Sequence, residues 1–400
     1  MNDKKPIAVL LTPVLPLPTG SGRALRAWDW LQTLSKDYRV HVLALEWSID
    51  CLEIPADYPA DGVWVTANGK VSASRFRRAT GLLLPFLAPW FRSLVVDWLD
   101  LPPSDGTLFE LETCLGRESV QHIVVYRLYM YNLALAVSSR FPEAIMSMDL
   151  DDNESRTRLS VAGALARMRR YREAARELAS AIQYCFLQRY MLGPFRVAYL
   201  SAEPDCRHFP TRLADKVAYR PNRLSLPQDF PPPPSTGVLT LLFVGVLSYP
   251  PNEEAVRLMV MRLVPELRKH LTQPWRLCIV GRHASAELSQ LMQSSQHVEF
   301  IGNAHTLERW YAAARIVLVP LRAGGGTKYK ALEGFAHRRP IVSTSHGMRG
   351  LGAVPGKHFL LAETSGTFAL AIRRLAEDRV LADRIAEAGW RLCRKGFRSE

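Results

Sequence analysis

Cysteine is scarce in this chain. Six residues in 400 (Cys51, Cys114, Cys185, Cys206, Cys278 and Cys393) include no Cys-x-x-Cys and no matching histidine spacing. That argues against a disulfide framework or a structural zinc site and fits a reducing compartment. Long apolar runs are also missing: the greasiest stretch, residues 81–91, carries Pro85 and Pro89 and falls far short of the roughly 20 residues that cross a bilayer. Prolines interrupt the apolar start MNDKKPIAVLLTPVLPLPTG, so no secretory leader is expected and a cytoplasmic location is. Acidic charge is in deficit, with 38 Asp and Glu against 51 Lys and Arg, a net +13. The excess implies an anionic partner: nucleic acid, a lipid surface or a phosphorylated substrate. No nucleic-acid-binding motif accompanies the charge, so nucleic acid is disfavoured.

What is present is an alternation of short apolar runs and helical periodicities. The chain is long enough for two domains of roughly 150 to 200 residues each. PIAVLLT (6–12) reads as a buried parallel strand, followed by the Pro/Gly-rich loop PVLPLPTGSG and a helical pattern over 23–35 with Leu25, Trp28, Leu31 and Leu34 on one face. RVHVLAL (39–45) completes a β-α-β opening, and further strands are predicted at 62–66, 122–126, 144–150 and 195–201. Proline density in YRPNRLSLPQDFPPPPSTG predicts a stiff connector. The alternation restarts with strands at 238–246, 275–281, 297–302, 315–321 and 340–344. The predicted organisation is therefore an amino-terminal doubly wound domain (1–217), a proline-rich linker (218–236), a second such domain (237–385), and a final helix (386–400) that commonly crosses back to the first domain in folds of this kind. Ligands of such sheets bind beyond the carboxyl ends of the strands, and with two units the natural site is the cleft between them.

The segment LVPLRAGGGTKYKALEGFAHRRPIVST (318–344) stands where a ligand site is expected, at the carboxyl end of a strand. Gly324, Gly325 and Gly326 bare the backbone so that an anion can approach its amides, and Thr327 is a candidate N-cap for the helix that follows. Lys330 and Glu333 are three residues apart, hence on one face of that helix. A cation near the positive helix end suits a phosphate, and a carboxylate one turn deeper suits a vicinal diol; pyrophosphate beside ribose has that layout. The order Gly326, Thr327, Lys328 is not a P-loop, so ATP-type phosphate transfer is disfavoured. In isolation the same residues are also compatible with an exposed loop and a surface ion pair.

With LLFVGVLSYPPNEEAV and LCIVGR upstream, this string resembles the carboxy-terminal domain of GT-B glycosyltransferases, specifically the retaining GT4 group. PLPTGSGRALRAWDWLQTL resembles the family's amino-terminal glycine loop, and YRPNRLS a degraded form of its interdomain PNG stretch. The resemblance implies a GT-B fold of two Rossmann-like domains facing across a cleft. It makes Glu333 the carboxylate that holds the donor ribose, Gly20 and Gly22 loop glycines facing the pyrophosphate and acceptor, and Gly245 the close-approach glycine of the second domain. The family usually shows two glutamates eight apart, an Arg after the first-strand glycine and a Lys about six residues later. Here those places hold Gly325, Val246 and Asn252. Lys330 and Arg282, with Lys328 nearby, are expected to supply the missing charge, since a leaving nucleoside diphosphate needs it.

Weaker signals stay open. GSGRAL (20–25) lacks the third glycine of a dinucleotide fingerprint. MDLDDNES (148–155) offers a DxD, but carboxylates at a strand end also cap helices, and no metal is expected. Tyr126 and Arg127 in VVYRLYMYN, together with Arg23 and Asp149, are acceptor-side candidates set against ordinary buried roles. The basic-aromatic stretches 74–99 and 156–178 fit an anionic membrane surface as well as a solvated or buried helix.

The expected function is a retaining, hexosyltransferase-like enzyme, independent of cofactor and metal, that moves a sugar from a nucleoside-diphosphate sugar (UDP or GDP) to a glycan, lipid-linked or small-molecule acceptor. It is placed in the cytoplasm or at the inner face of a membrane. An epimerase or phosphorylase on the same plan, or a degenerate nucleotide-sugar-binding scaffold, are the competing readings.

Overall fold

A computed structural model describes residues 5–45, 54, 57–66, 105–115, 119–209, 211–227, 237–304 and 306–398. The chain divides into two compact units: residues 1–156 with 176–220, and residues 157–175 with 221–400. The stretch 74–99 and the proline run 228–236 lie outside the described residues.

Unit 1 is a parallel sheet of order β3-β2-β1-β4-β5-β6-β7, built from β1 (Ile7–Thr12), β2 (Arg39–Leu45), β3 (Gly62–Thr66), β4 (Val120–Tyr126), β5 (Ile145–Asp151), β6 (Val197–Leu200) and β7 (Val217–Tyr219). Its helices are α1 (Gly22–Ser35), α2 (Asp105–Leu115), α3 (Tyr131–Arg140), the start of α4 (Glu154–Arg167), most of α5 (Tyr171–Met191), and the short α6 (Glu203–Cys206) and α7 (Thr211–Ala214). Every residue of β1 is buried, as a parallel strand covered on both faces requires. Helix α1 presents Ala24, Ala27, Trp30, Leu31 and Leu34 to the core and is capped by Ser21, whose Oγ accepts from the Ala24 N–H.

Unit 2 has the order β10-β9-β8-β11-β12-β13, with β8 (Leu239–Val244), β9 (Trp275–Val280), β10 (Val298–Ile301), β11 (Ile316–Val319), β12 (Ile341–Ser343) and β13 (Leu360–Leu361). This is the doubly wound order, reversing between β8 and β11, and ligands of open α/β sheets sit at that reversal. Helix α8 (Pro250–Leu258) runs through a π turn, Met259–Leu263, into α9 (Val264–His270). The wider turn falls just before Pro265, which cannot donate to the helical ladder. There follow α10 (Ala286–Gln293), α11 (Glu308–Ala313), α12 (Tyr329–Ala336), α13 (Ser365–Glu377) and α14 (Arg379–Gly396).

The final helix starts at Arg379, earlier than residue 386, because Asp378 caps it by accepting from the Leu381 N–H. It lies against α12 within unit 2: a Cβ on Gly389 would come 2.4 Å from Phe335 Cδ1, and the Cys393 thiol points at the Leu332 carbonyl oxygen, 3.7 Å away. The edge strands β7 and β13 span three and two residues, too few for periodicity to reveal. Among the described residues, no helix is long and apolar enough to cross a membrane.

Candidate active site

The loop from β11 to α12 lies beside the strand-order reversal of unit 2. Gly324 and Gly326 adopt φ of 110° and 56°, conformations that glycine alone takes without penalty. The loop is held from several sides. His346 Nε2 lies 3.0 Å from the Gly324 carbonyl oxygen, and the Gly324 N–H donates to Ser160 Oγ at 3.0 Å. The Lys328 ammonium turns back to donate to the carbonyls of Gly325 (2.7 Å) and Gly326 (2.8 Å). Lys328 is thus a buried staple that fixes the loop's shape. It also occupies the N-cap position that the sequence suggested for Thr327. The Thr327 hydroxyl is engaged elsewhere, accepting from Asn222 Nδ2 at 2.6 Å, which ties the linker's Pro-Asn stretch to the glycine loop. In the first turn of α12 the Ala331 N–H donates to the Lys328 carbonyl at 2.9 Å.

Lys330 and Glu333 share the inner face of α12. The Lys330 ammonium donates to Asn252 Oδ1 at 2.6 Å and stands over the Phe243 ring, 4.1 Å from its centroid. Asn252 is oriented by its own Nδ2, which donates to the Val246 carbonyl at 2.8 Å. Gly245 is required here, because a Cβ would come 2.9 Å from Lys330 Nζ and 2.8 Å from Asn252 Nδ2. Opposite it, a Cβ on Gly281 would sit 1.9 Å from the Gly245 carbonyl oxygen, so the ends of β8 and β9 approach as backbone against backbone. Burial pushes the Lys330 pKa down to about 7, with Lys328 adding to the fall and Glu333 opposing it.

Glu333 accepts from the Tyr311 hydroxyl at 2.8 Å on Oε2. Burial lifts its pKa to about 7, against the lowering effect of Tyr311 and Lys330. Tyr311 is buried and stacks on His337 with ring centroids 4.7 Å apart. Arg282 stands at the end of β9 with its side chain exposed, and its carbonyl accepts from the Leu247 N–H at 2.9 Å, joining the loops after β8 and β9. The site therefore assembles Gly245, the glycine loop, Lys330 and Glu333, with Arg282 on the neighbouring loop. Sequence reasoning missed Tyr311, Ser160 and His346 as partners of this loop and helix. Tyr311 reads as one more core aromatic in LERWYAA, and nothing in the string separates it from that role.

In unit 1 the expected acceptor-side residues mostly turn inward. Asp149 is fully buried and takes a fork from Arg26 (Nε to Oδ2 2.7 Å, Nη2 to Oδ1 2.9 Å), with Trp30 Nε1 also donating to it. It is a core ion pair closed to solvent, which corrects its assignment to acceptor contact. Tyr126 is equally buried and donates to Asp151 Oδ2 at 3.2 Å. Arg127, at φ 80°, donates to Asp151 (2.8 Å) and Asp152 (3.0 Å). The aspartates of the DxD-like run are thus engaged by arginines. The Asp152 pKa rises to about 7, chiefly through burial. Arg23 is exposed on the first turn of α1, and Gly20, at φ 107°, precedes the cap, with Gly22 opening the helix. Among the described residues, no cluster of three or more His, Cys, Asp or Glu is arranged to hold a metal ion.

Two parallel doubly wound sheets, one carrying this loop and helix at its strand-order reversal, define the GT-B fold of glycosyltransferases. Residues 239–378 match the family model described as glycosyl transferases group 1, so the second unit is a glycosyltransferase domain and the chain a transferase. Similar solved structures include a sucrose-phosphate synthase from Thermosynechococcus elongatus, at 15% identity and TM-score 0.68, covering 99% of this chain and 95% of that one. HepE of Anabaena, solved with UDP-glucose, is 14% identical with TM-score 0.64, covering 98% and 96%. TarM of S. aureus, solved as a G117R mutant with fondaparinux, alpha-GlcNAc-glycerol and UDP, is 8% identical with TM-score 0.65, covering 98% and 97%. At these identities the likeness establishes the fold alone. No curated protein matches the sequence.

Proposed function

We propose that the protein transfers a sugar from a nucleoside-diphosphate sugar to an acceptor hydroxyl with retention of anomeric configuration. The observation that carries this reading is the Lys330–Glu333 pair: one ammonium and one carboxylate a turn apart on α12, behind a glycine loop at the strand-order reversal. The ammonium stands within 2.6 Å of Asn252 Oδ1, the residue where the resembled family carries its lysine. A charge absent from the sequence at 252 is delivered to that place from the other side. HepE, of the same fold, was solved with UDP-glucose, which supports a nucleotide sugar as donor here.

In the reaction, the bond between the anomeric carbon and the diphosphate oxygen breaks and a bond from the acceptor oxygen to that carbon forms. The diphosphate leaves with the bonding pair and takes up the acceptor's proton. Lys330, assisted by Arg282 and the backbone amides of Gly325 and Gly326, stabilises the charge that develops on the leaving oxygens. Glu333, held by Tyr311, accepts from the ribose hydroxyls and fixes the donor's register. Lys328 contributes through the loop it shapes. On the acceptor side, Arg23 is an exposed cation on the first turn of α1, beside the glycine loop of Gly20 and Gly22.

The test is release of nucleoside diphosphate from UDP- and GDP-sugars, with and without candidate acceptors including a membrane extract. Acceptor-dependent release with product of retained configuration is expected. Isomerisation without acceptor, release that needs free phosphate, or binding without turnover would each replace this reading with the corresponding alternative.

A further inference from the structure

Residues 157–175 come from the amino-terminal half of the sequence yet belong to unit 2. They form the later part of α4, a turn and the first residues of α5. Three side chains of this segment reach the two elements that build the donor site. Ser160 Oγ accepts from the Gly324 N–H at 3.0 Å, at the first residue of the glycine run. Arg167 forks onto Glu254, with Nη2 to Oε2 at 2.8 Å. Arg170 Nη1 donates to Glu253 Oε2 at 2.7 Å, while its Nε and Nη2 are held by Glu173.

Glu253 and Glu254 follow Asn252 directly in the first turn of α8, and both are buried. Prolines 250 and 251 start that turn with helical φ, but it has no side-chain cap, so the side-chain contacts of Glu253 and Glu254 orient it from outside. Arg257 adds a second guanidinium to Glu253, with Nε 3.0 Å from Oε1. The turn from α4 to α5 is itself specific: Arg169 adopts φ 61° and the Arg170 N–H reaches the Leu165 carbonyl at 2.9 Å. A left-handed residue with a side chain is disfavoured in itself, and here it aims Arg167 and Arg170 at one target.

We propose that residues 157–175 are a positioning element for the donor diphosphate site, with Ser160, Arg167 and Arg170 as positioning residues that never touch substrate. Ser160 sets the glycine loop. The arginines set the turn whose Asn252 aims the Lys330 ammonium. Charge-assisted forks hold geometry better than single neutral bonds, and the partner carboxylates are shielded from water. This inference rests on the donor reading given above.

The test is a charge-swap cycle, with Arg167→Glu, Glu254→Arg and the pair together, alongside Ser160→Ala. UDP and GDP binding is measured by calorimetry, and backbone hydrogen exchange is measured over peptides spanning 322–329 and 246–256. Each single charge reversal is expected to weaken nucleotide binding about tenfold and to speed exchange in the 246–256 peptide, with the double variant recovering to within about threefold. Ser160→Ala is expected to speed exchange in the 322–329 peptide, raise the donor KM, and leave exchange in unit 1 unchanged. Single variants that lose thermal stability while keeping wild-type nucleotide affinity and local exchange would overturn the proposal. If the wild type binds neither nucleotide, the donor reading fails separately, and the exchange data still decide whether this segment positions the loop and turn.

Discussion

Replacing Lys330 with arginine tests the proposed chemistry most sharply, because it separates charge from titration. The Lys330 pKa lies at about 7, below its ordinary 10.5, through burial first and Lys328 second. The ammonium is the form that stabilises a leaving diphosphate, so its limb is on the alkaline side: activity falls as pH rises through about 7 and the charge is lost. At pH 9, two units higher, about 1% of the free enzyme keeps the charge, and kcat/KM should fall about tenfold per pH unit over that range. Arginine does not titrate here. The Lys330→Arg variant should therefore lose about tenfold at pH 7, since a bulkier head must fit between Gly245 and Asn252, yet hold a flat profile up to pH 9. The acid limb has the opposite origin. Glu333 sits at about 7, raised by burial from 4.5, and must be ionised to accept from ribose, so activity falls as pH drops below about 7 in both proteins. Initial rates of nucleoside diphosphate release between pH 5.5 and 9.5 decide the matter. An alkaline limb that survives in the arginine variant, or a wild-type rate that stays level to pH 9, refutes the assignment of Lys330.

Lys330→Ala should lower turnover by about two decades or more without lowering fold stability at pH 7, read from steady-state kinetics beside a urea melt. Tyr311→Phe removes the donor that steadies Glu333 and lowers its pKa. The acid limb should move to higher pH and donor KM should rise about tenfold; an unmoved limb would show that Tyr311 only packs. Asp149→Asn removes the carboxylate that forks with the buried Arg26 guanidinium and leaves it Asp151 at 3.7 Å and the Arg220 carbonyl, so equilibrium unfolding should show a loss of about 3 kcal/mol, and a loss below about 1 kcal/mol would contradict a core ion pair.

Legibility in the sequence followed the physics of each feature. β1 and β8 are buried throughout and apolar but for Thr12 and Thr240, because parallel strands are covered on both faces, and such runs are visible without any partner. The glycine loop, Lys330 and Glu333 stand out in the sequence as a candidate site because bare backbone, cation and carboxylate lie within ten residues after a strand. What escaped depended on contacts between distant residues. Asp149 looks like a strand-end carboxylate until Arg26, 123 positions away, is seen to fork onto it. Thr327 looks like a cap until Asn222, 105 positions away, takes its hydroxyl. The membership of residues 157–175 in unit 2 is of the same kind, since one helix continues unbroken from Glu154 to Arg167 and leaves no break for a sequence to display.

The titration of the pair also explains why its cost is tolerated. Between about pH 4.5 and 7 the folded chain holds a proton on Glu333 that the unfolded chain releases, so this group's contribution to stability falls as pH rises through that window. Between about 7 and 10.5 the unfolded chain holds a proton that Lys330 has lost, so the lysine's contribution rises with pH there. The two windows meet near pH 7, where the pair stabilises the fold least and both charged forms that bind a donor are still populated. Glu333→Gln removes the carboxylate's share of this penalty. The shift from 4.5 to about 7, which already includes the opposing effects of Tyr311 and Lys330, bounds the gain at about 3 kcal/mol. The variant should therefore melt higher than wild type at pH 7 while losing donor binding, and it should lose that advantage at pH 4, where Glu333 is protonated in both states. A glutamine variant that melts lower at pH 7 would mean the carboxylate stabilises the fold, and the case for a site held ready at the expense of stability would fail with it.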